Sequence, residues 1–331
     1  MGTSADPKLG VLWSPARQWT LKASYGTSFK APALKQTRQR LVITPVSVTR
    51  NGQDVLALLL YGGNADLKPE TATSWSAGVD YAPNAVPGLK VGLNVFDTRF
   101  TRRIGQPALD GVDQALEDPV LVPFVTRVDP VINARDAARV DALINNPASE
   151  AQGLYPAEYY GAIIDGRYVN TASLQVRGVD LDLAYHLTVG ADTFDLSADA
   201  AYMERYSIKV TQDAPRLDRV NVAGYPTALR GRLGGFWTRG PWGASATLSY
   251  VDNHHAVDGT AIGGWTTLDL QAAWRSTAQS GVFKGLALAF SVQNVFNTDP
   301  PFHDAPLGVG YDAANATALG RYGSLRLIKA W

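Results

Sequence analysis

Few residues in the 331-residue chain are suited to chemistry. Of its four histidines two are adjacent, His254 and His255, and they stand near Asp252 and Asp258. Imidazole and carboxylate together are a donor set that a divalent metal or a metal chelate can use. Adjacent side chains of an extended strand point to opposite faces, so joint ligation of one ion is not expected. His186 falls beside a short turn and His303 follows Phe302 in a loop. Asp180, Asp182, Asp195 and Asp199 have a spacing from which a carboxylate pair for acid–base catalysis could be drawn. Side chains on adjacent strands facing a wet lumen account for that spacing more simply. GVGYDA (308–313) imitates a dinucleotide fingerprint without the strand before it or the helix after it, and reads as a loop. No GxSxG or HExxH occurs. No catalytic residue, resident metal or cofactor is therefore expected. LYPAEYYGAIIDGRYV (154–169) is the richest ligand-contact segment. Tyr159, Tyr160, Arg167 and Tyr168, with His254 and His255, are candidate contacts for a flat chelate or a sugar. Packing of one loop on another is the alternative reading of that segment.

Composition narrows the classes. Lys plus Arg is 30 and Asp plus Glu is 30, so nothing attracts nucleic acid in general. Cysteine is absent, which excludes disulfides, thiolate metal sites and cysteine nucleophiles. There are 8 Trp and 14 Tyr, residues that suit a boundary between apolar and wet phases. No run reaches the roughly 18 apolar residues of a membrane helix. The strongest, VLALLLY (55–61), stops at Gly62 and Gly63. The first ten residues hold no apolar stretch, so no signal peptide is expected within the chain. Residues 133–147 predict a short helix, with Asn133 as its cap, Asp136 in its first turn and Pro147 beyond its end.

The elements that must position these groups are strands. Trp19, Leu21, Ala23, Tyr25, Thr27 and Phe29 alternate with Thr20, Lys22, Ser24, Gly26 and Ser28. The same period of two recurs at 73–81, 89–95, 179–187, 194–202, 229–237, 244–250 and 268–274, then at 286–295 and 321–331. With a leading strand near 10–14, about eleven strands are expected. Short turns near 15–18, 83–88, 188–192, 239–241 and 276–285 alternate with long loops at 31–70, 105–168, 211–225, 252–263 and 298–320. That is the layout of an outer-membrane barrel. A soluble β-sandwich is the competing reading, but its strands run about five or six residues, and these alternate over roughly nine to twelve. Asp97, Arg99 and Arg177 fall on the apolar phase only at the long-loop ends, above the hydrocarbon.

YGTSFKAPAL (25–34), GNADLKPETATSWSAGVDY (63–81), LKVGLNVFDTRFTRRI (89–104), SVQNVFNTDPPF (291–302) and the closing GRYGSLRLIKAW (320–331) together resemble the barrel of TonB-dependent outer-membrane receptors. The resemblance covers nearly the whole chain. It implies an all-β fold, an antiparallel transmembrane β-barrel. About eleven strands would make residues 1–331 the C-terminal half of a barrel, without plug domain or signal peptide. It implies no enzyme but a receptor that imports a scarce nutrient, a ferric siderophore foremost, with cobalamin and glycans as alternatives. Implied partners are outer-membrane lipid and lipopolysaccharide, a small-molecule ligand, and the TonB energy complex through the missing plug. The barrel-assembly machinery would read Leu325, Leu327 and the terminal Trp331; Lys329 departs from the usual apolar occupant of its position. A non-transporting structural barrel or adhesin is the second reading, and a soluble sugar-binding β-domain the third. A half barrel must pair with further strands, close first strand on last, or associate edge to edge.

Overall fold

The computed structural model describes residues 5–212, 214–304 and 308–330. The alternating segments form one antiparallel meander of eleven strands. They are β1 (Lys8–Ala16), β2 (Trp19–Lys30), β3 (Glu70–Tyr81), β4 (Leu89–Thr101), β5 (Ser173–Val189), β6 (Asp192–Lys209), β7 (Leu229–Arg239), β8 (Trp242–Val251), β9 (Trp265–Arg275), β10 (Leu286–Gln293) and β11 (Tyr322–Lys329). A short strand, Leu217–Asp218, adds to β6. The sheet is open: β1 and β11 are not paired with each other, and every residue of β1 is exposed. Closure of first strand on last is thereby not what the chain adopts. Trp331 lies outside the described residues, so the assembly role expected of it has no structural counterpart here; Leu325 and Leu327 lie on β11, both exposed.

Register turns the alternation of each strand into a property of the whole sheet. Leu21 pairs with Val79, Val79 with Leu93 and Leu93 with Leu181. Leu181 continues to Ala200, and a parallel row runs from Leu183 through Ala198, Leu233 and Leu248 to Leu268. Phe290 faces Ala272 on one side and Leu325 on the other. A shift of one residue in any pair would break such a row, because it moves a whole strand's apolar set to the other face. The rows are nevertheless solvent-open: Leu233 is 57% and Phe290 53% exposed. A continuous apolar band on the outside of a sheet is the mark of a surface whose solvent is hydrocarbon.

Aromatic residues border the band on the same face. At the short-turn end Trp19 stacks on Tyr81 at 4.1 Å and Trp242 lies 6.4 Å from Trp274. At the long-loop end Tyr25 pairs with Trp75, and Tyr202 and Tyr250 occupy the same phase. These are the two interfacial girdles of a membrane barrel. Of the charged residues on the apolar phase, Arg177 is the register partner of Asp97 and lies 3.0 Å from the Glu204 carboxylate, Arg99 lies 3.4 Å from Asp97 on its own strand, and Asp97 accepts from Gln175 at 2.7 Å.

The opposite face is polar. Lys22 bonds Asp80 at 2.7 Å, and His186 Nδ1 lies 2.6 Å from Asp195. Asp182 is the register partner of Asp199, which is in turn the partner of Arg232. The four aspartates therefore occupy the wet face of adjacent strands, interleaved with basic and hydroxyl side chains.

Much of the long-loop length is folded. The first and second long loops build a second sheet, where sequence alone suggested irregular chain apart from one helix. The hairpin Val42–Arg50/Gln53–Tyr61 turns at Asn51 and Gly52, both at positive φ, the conformation a two-residue hairpin requires. Gln53–Tyr61 then pairs in parallel with Tyr160–Asp165, which pairs with Val125–Arg127. Ala57 and Leu59 enter one core with Val48, Leu116 and Ile164; Leu58 enters the other with Ile43, Val140, Ile144 and Ile163. Both faces of VLALLLY are covered, which is why it reads as an unbroken apolar run rather than an alternation. The expected helix is present as Ala134–Ile144, with Asn133 Oδ1 accepting from the amides of Arg135 and Asp136.

Candidate ligand-binding mouth

Three of the remaining long loops meet at one carboxylate. Asp312, buried in the segment that imitates a dinucleotide fingerprint, accepts from His254 Nε2 at 3.0 Å and from the amides of Gly224 at 3.2 Å and Ala314 at 3.0 Å, as well as from the Asn315 side-chain amide. Asn315 donates to the Tyr225 carbonyl and accepts from Arg230 on β7, which ties the cluster to the barrel wall. His255 exchanges backbone bonds with Asn221 and Ala223 and leaves its side chain exposed. The two adjacent histidines thus face apart, as extended geometry dictates, and no group of three metal-ligating residues occurs among the described residues.

Burial pushes the Asp312 carboxyl up, but the donors from Asn315, Gly224 and Ala314 and the neighbouring His254 outweigh it and hold the carboxyl below its ordinary value. A depressed carboxylate stabilises its surroundings above the unfolded pKa of about 3.9 and loses that contribution as pH falls through the folded value. The junction is therefore fully formed at neutral pH. In Asp312→Ala, donors left unpaired cost about 1–3 kcal/mol. Amide exchange should accelerate at residues 221–225 and 254–262 while β7 and β8 keep their protection.

Beside this junction the second and third long loops enclose a cavity of about 770 Å³. Its walls come from the turn Pro107–Asp110, the following turn Val112–Gln114, the end of β6 and the segment 217–226. A two-stranded pairing of Ile104–Gly105 with Val169–Asn170 fixes Tyr168 at the rim. Tyr206 and Tyr225 lie 5.7 Å apart on the wall, and the Arg219 guanidinium stands over the Tyr225 ring at 5.7 Å. Arg219 also faces Asp118 at 3.7 Å. Burial pushes the Tyr225 phenol up, with Arg219 opposing it, so the ring enters as a neutral hydrogen-bonding group. Burial likewise raises Asp110, with Arg103 opposing. The arrangement offers aromatic faces, hydroxyls and paired charges, which suits binding and supplies no nucleophile with a base.

The residues singled out in the sequence divide into four groups. Tyr168 lines the cavity. Tyr160 is 1% exposed within the core of the loop sheet, so loop packing accounts for it, and Arg167 bonds Asp165 through Nε at 2.9 Å and Nη2 at 2.6 Å. That bond holds Asp165 low and Arg167 high. Tyr159 is exposed on the loop surface, and His254 and His255 belong to the junction. Arg219, Tyr206, Tyr225 and Asp312 were not singled out; they are far apart in sequence and only the folded loops bring them together.

A meander of this length, with a lipid-type band, two aromatic girdles and folded loops at one end only, defines an outer-membrane β-barrel sheet. The chain belongs to the TonB-dependent receptor family: the family model described as TonB dependent receptor-like, beta-barrel, matches residues 2–295. It is a protein of the bacterial outer membrane. Among solved structures it is similar to the ferric enterobactin receptor PfeA of Pseudomonas aeruginosa, at 19% identity and TM-score 0.58, over 97% of this chain and 39% of that one. It is similar to the siderophore receptor PirA of Acinetobacter baumannii at 16% identity and TM-score 0.59, over 97% and 40%. The copper transporter OprC matches at 17% identity and TM-score 0.51, over 97% and 38%. The chain thus spans about 40% of the length of these receptors. No curated protein matches the sequence.

Proposed function

We propose that residues 1–331 form the C-terminal half of the barrel of a receptor that imports a scarce nutrient, a ferric siderophore foremost, across the outer membrane. The observation that carries this reading is the aromatic cavity of about 770 Å³ held at the long-loop end of a lipid-facing sheet. The likeness to receptors described as siderophore receptors supports the substrate class. The receptor does no chemistry on its ligand. Loops bind it, and the TonB energy complex acts through a plug supplied outside these residues. Lipid and lipopolysaccharide contact the apolar band and the girdles. Cells carrying the intact receptor should take up radioiron from the cognate siderophore, and loss of TonB should abolish uptake without changing surface amounts. Surface-exposed receptor with no TonB-dependent uptake of any ferric chelate would favour a non-transporting barrel instead.

The terminal strand serves assembly. Leu325 and Leu327 continue the apolar rows on β11, paired with Phe290 and Leu288. In the intact receptor, deletion of Trp331 or Trp331→Ala should lower outer-membrane amounts several-fold relative to synthesis, as read by immunoblots of membrane and whole-cell fractions. Equal surface amounts in both variants would remove this role.

A further inference from the structure

The cavity wall carries more acid than base. Arg219 lies 3.7 Å from Asp118 and covers the Tyr225 ring, so it is engaged on two sides. Arg103 and Asp110 also lie on the wall, and neither forms an ion pair among the described residues. Asp113, also on the wall, has no ion-pair partner among the described residues. Three carboxylates therefore stand on the wall with two guanidinium groups, which leaves one negative charge in surplus.

This balance bears on which chelates can enter. Iron(III) carries three positive charges. Three catecholates bring six negative charges and leave a complex with three in excess; three hydroxamates bring three and leave a neutral complex. A polyanion desolvated against a wall with a surplus carboxylate is repelled, and Arg219 meets it only by giving up Asp118. A neutral chelate meets no such barrier. Its apolar ribs can lie on Tyr225, and its carbonyl oxygens can accept from the phenol and from the edge of Arg219 without separating any charge pair.

We infer that this cavity selects neutral or cationic metal chelates, the ferric trihydroxamate type, against polyanionic ones such as ferric tricatecholates. The inference rests on the uptake reading above and narrows its substrate class. Asp113 is the specificity-determining residue tested, because it has no ion pair among the described residues and its replacement by a cation reverses the sign of the surplus charge.

The test uses the receptor purified from outer membranes as the cell assembles it, titrated with a neutral ferric trihydroxamate and a ferric tricatecholate in one buffer. The trihydroxamate should bind at least about tenfold tighter, the scale of one charge contact at intermediate dielectric. Asp113→Lys should narrow that ratio about tenfold or more, chiefly by improving the tricatecholate, and Asp113→Asn should fall between. The shift should shrink in high salt. Equal or tighter tricatecholate binding by the native receptor, no binding of either chelate, or a ratio unmoved in both variants despite native surface amounts would overturn the inference. The transport reading is judged separately, by TonB-dependent radioiron uptake: tricatecholate uptake would keep transport and remove the selectivity, whereas trihydroxamate binding without uptake of any chelate would keep the selectivity and remove transport.

Discussion

Residues 1–331 produced alone, and exported with a signal peptide into a cell lacking the receptor, will not restore uptake. The reason lies at β1 and β11. Each presents a row of backbone amides and carbonyls with no neighbouring strand, since the sheet does not close. A strand of about ten residues turns roughly five donor–acceptor pairs outward, and in hydrocarbon each unsatisfied group costs several kcal/mol. The total reaches tens of kcal/mol, against about 5–15 kcal/mol of stability for a typical domain. Eleven strands in an antiparallel meander leave the first and last running the same way, so self-closure would need a parallel seam, atypical for a barrel of this kind. The isolated chain should be degraded or recovered in aggregates, whereas supplying the remaining strands and plug restores both membrane insertion and uptake. Energy-dependent uptake by the isolated chain would refute this.

The second large effect belongs to the apolar band. Leu233 lies near the middle of β7, between Ala198 of β6 and Leu248 of β8, and is 57% exposed. An arginine there sits near the bilayer midplane, where the cost is about 2–4 kcal/mol. Thr247 on β8, register partner of Gly234, occupies the opposite phase. Thr247→Arg faces the wet interior and should cost little. Leu233→Arg should therefore lower the amount of heat-modifiable, folded receptor in membranes, while Thr247→Arg leaves it unchanged. If both variants lose folded receptor equally, the assignment of faces is wrong.

The difference between these two positions is legible in the sequence, and the loop architecture is not. A strand with lipid on one side and water on the other must alternate, so Leu229, Leu233 and Trp237 against Arg230 and Arg232 give both the strand and its orientation. Ten of the eleven strands follow from that one constraint, and the spacing between them gives the alternation of short and long connections. The loop sheet escapes it, because Ala57, Leu58 and Leu59 are buried on both faces. Its pairing with Tyr160–Asp165 joins residues about a hundred apart, and no local pattern encodes such a contact. One local signal was available: Asn51-Gly52 between two extended apolar stretches marks a hairpin. Tyr168 was recognisable as a ligand-contact candidate from composition alone. Asp312 was not, because an aspartate in a loop is ordinary until His254 and two amides are found pointing at it.

The central claim is that this sheet crosses the outer membrane with its long loops outside, and a cysteine-free chain permits a direct measurement. His255 and Val86 are both exposed, one in a long loop and the other in a short turn at the opposite end of the strands. In the intact receptor on whole cells, an impermeant thiol reagent should label His255→Cys, and should reach Val86→Cys only after the outer membrane is permeabilised. Labelling of Val86→Cys on intact cells, with His255→Cys protected, would contradict the account.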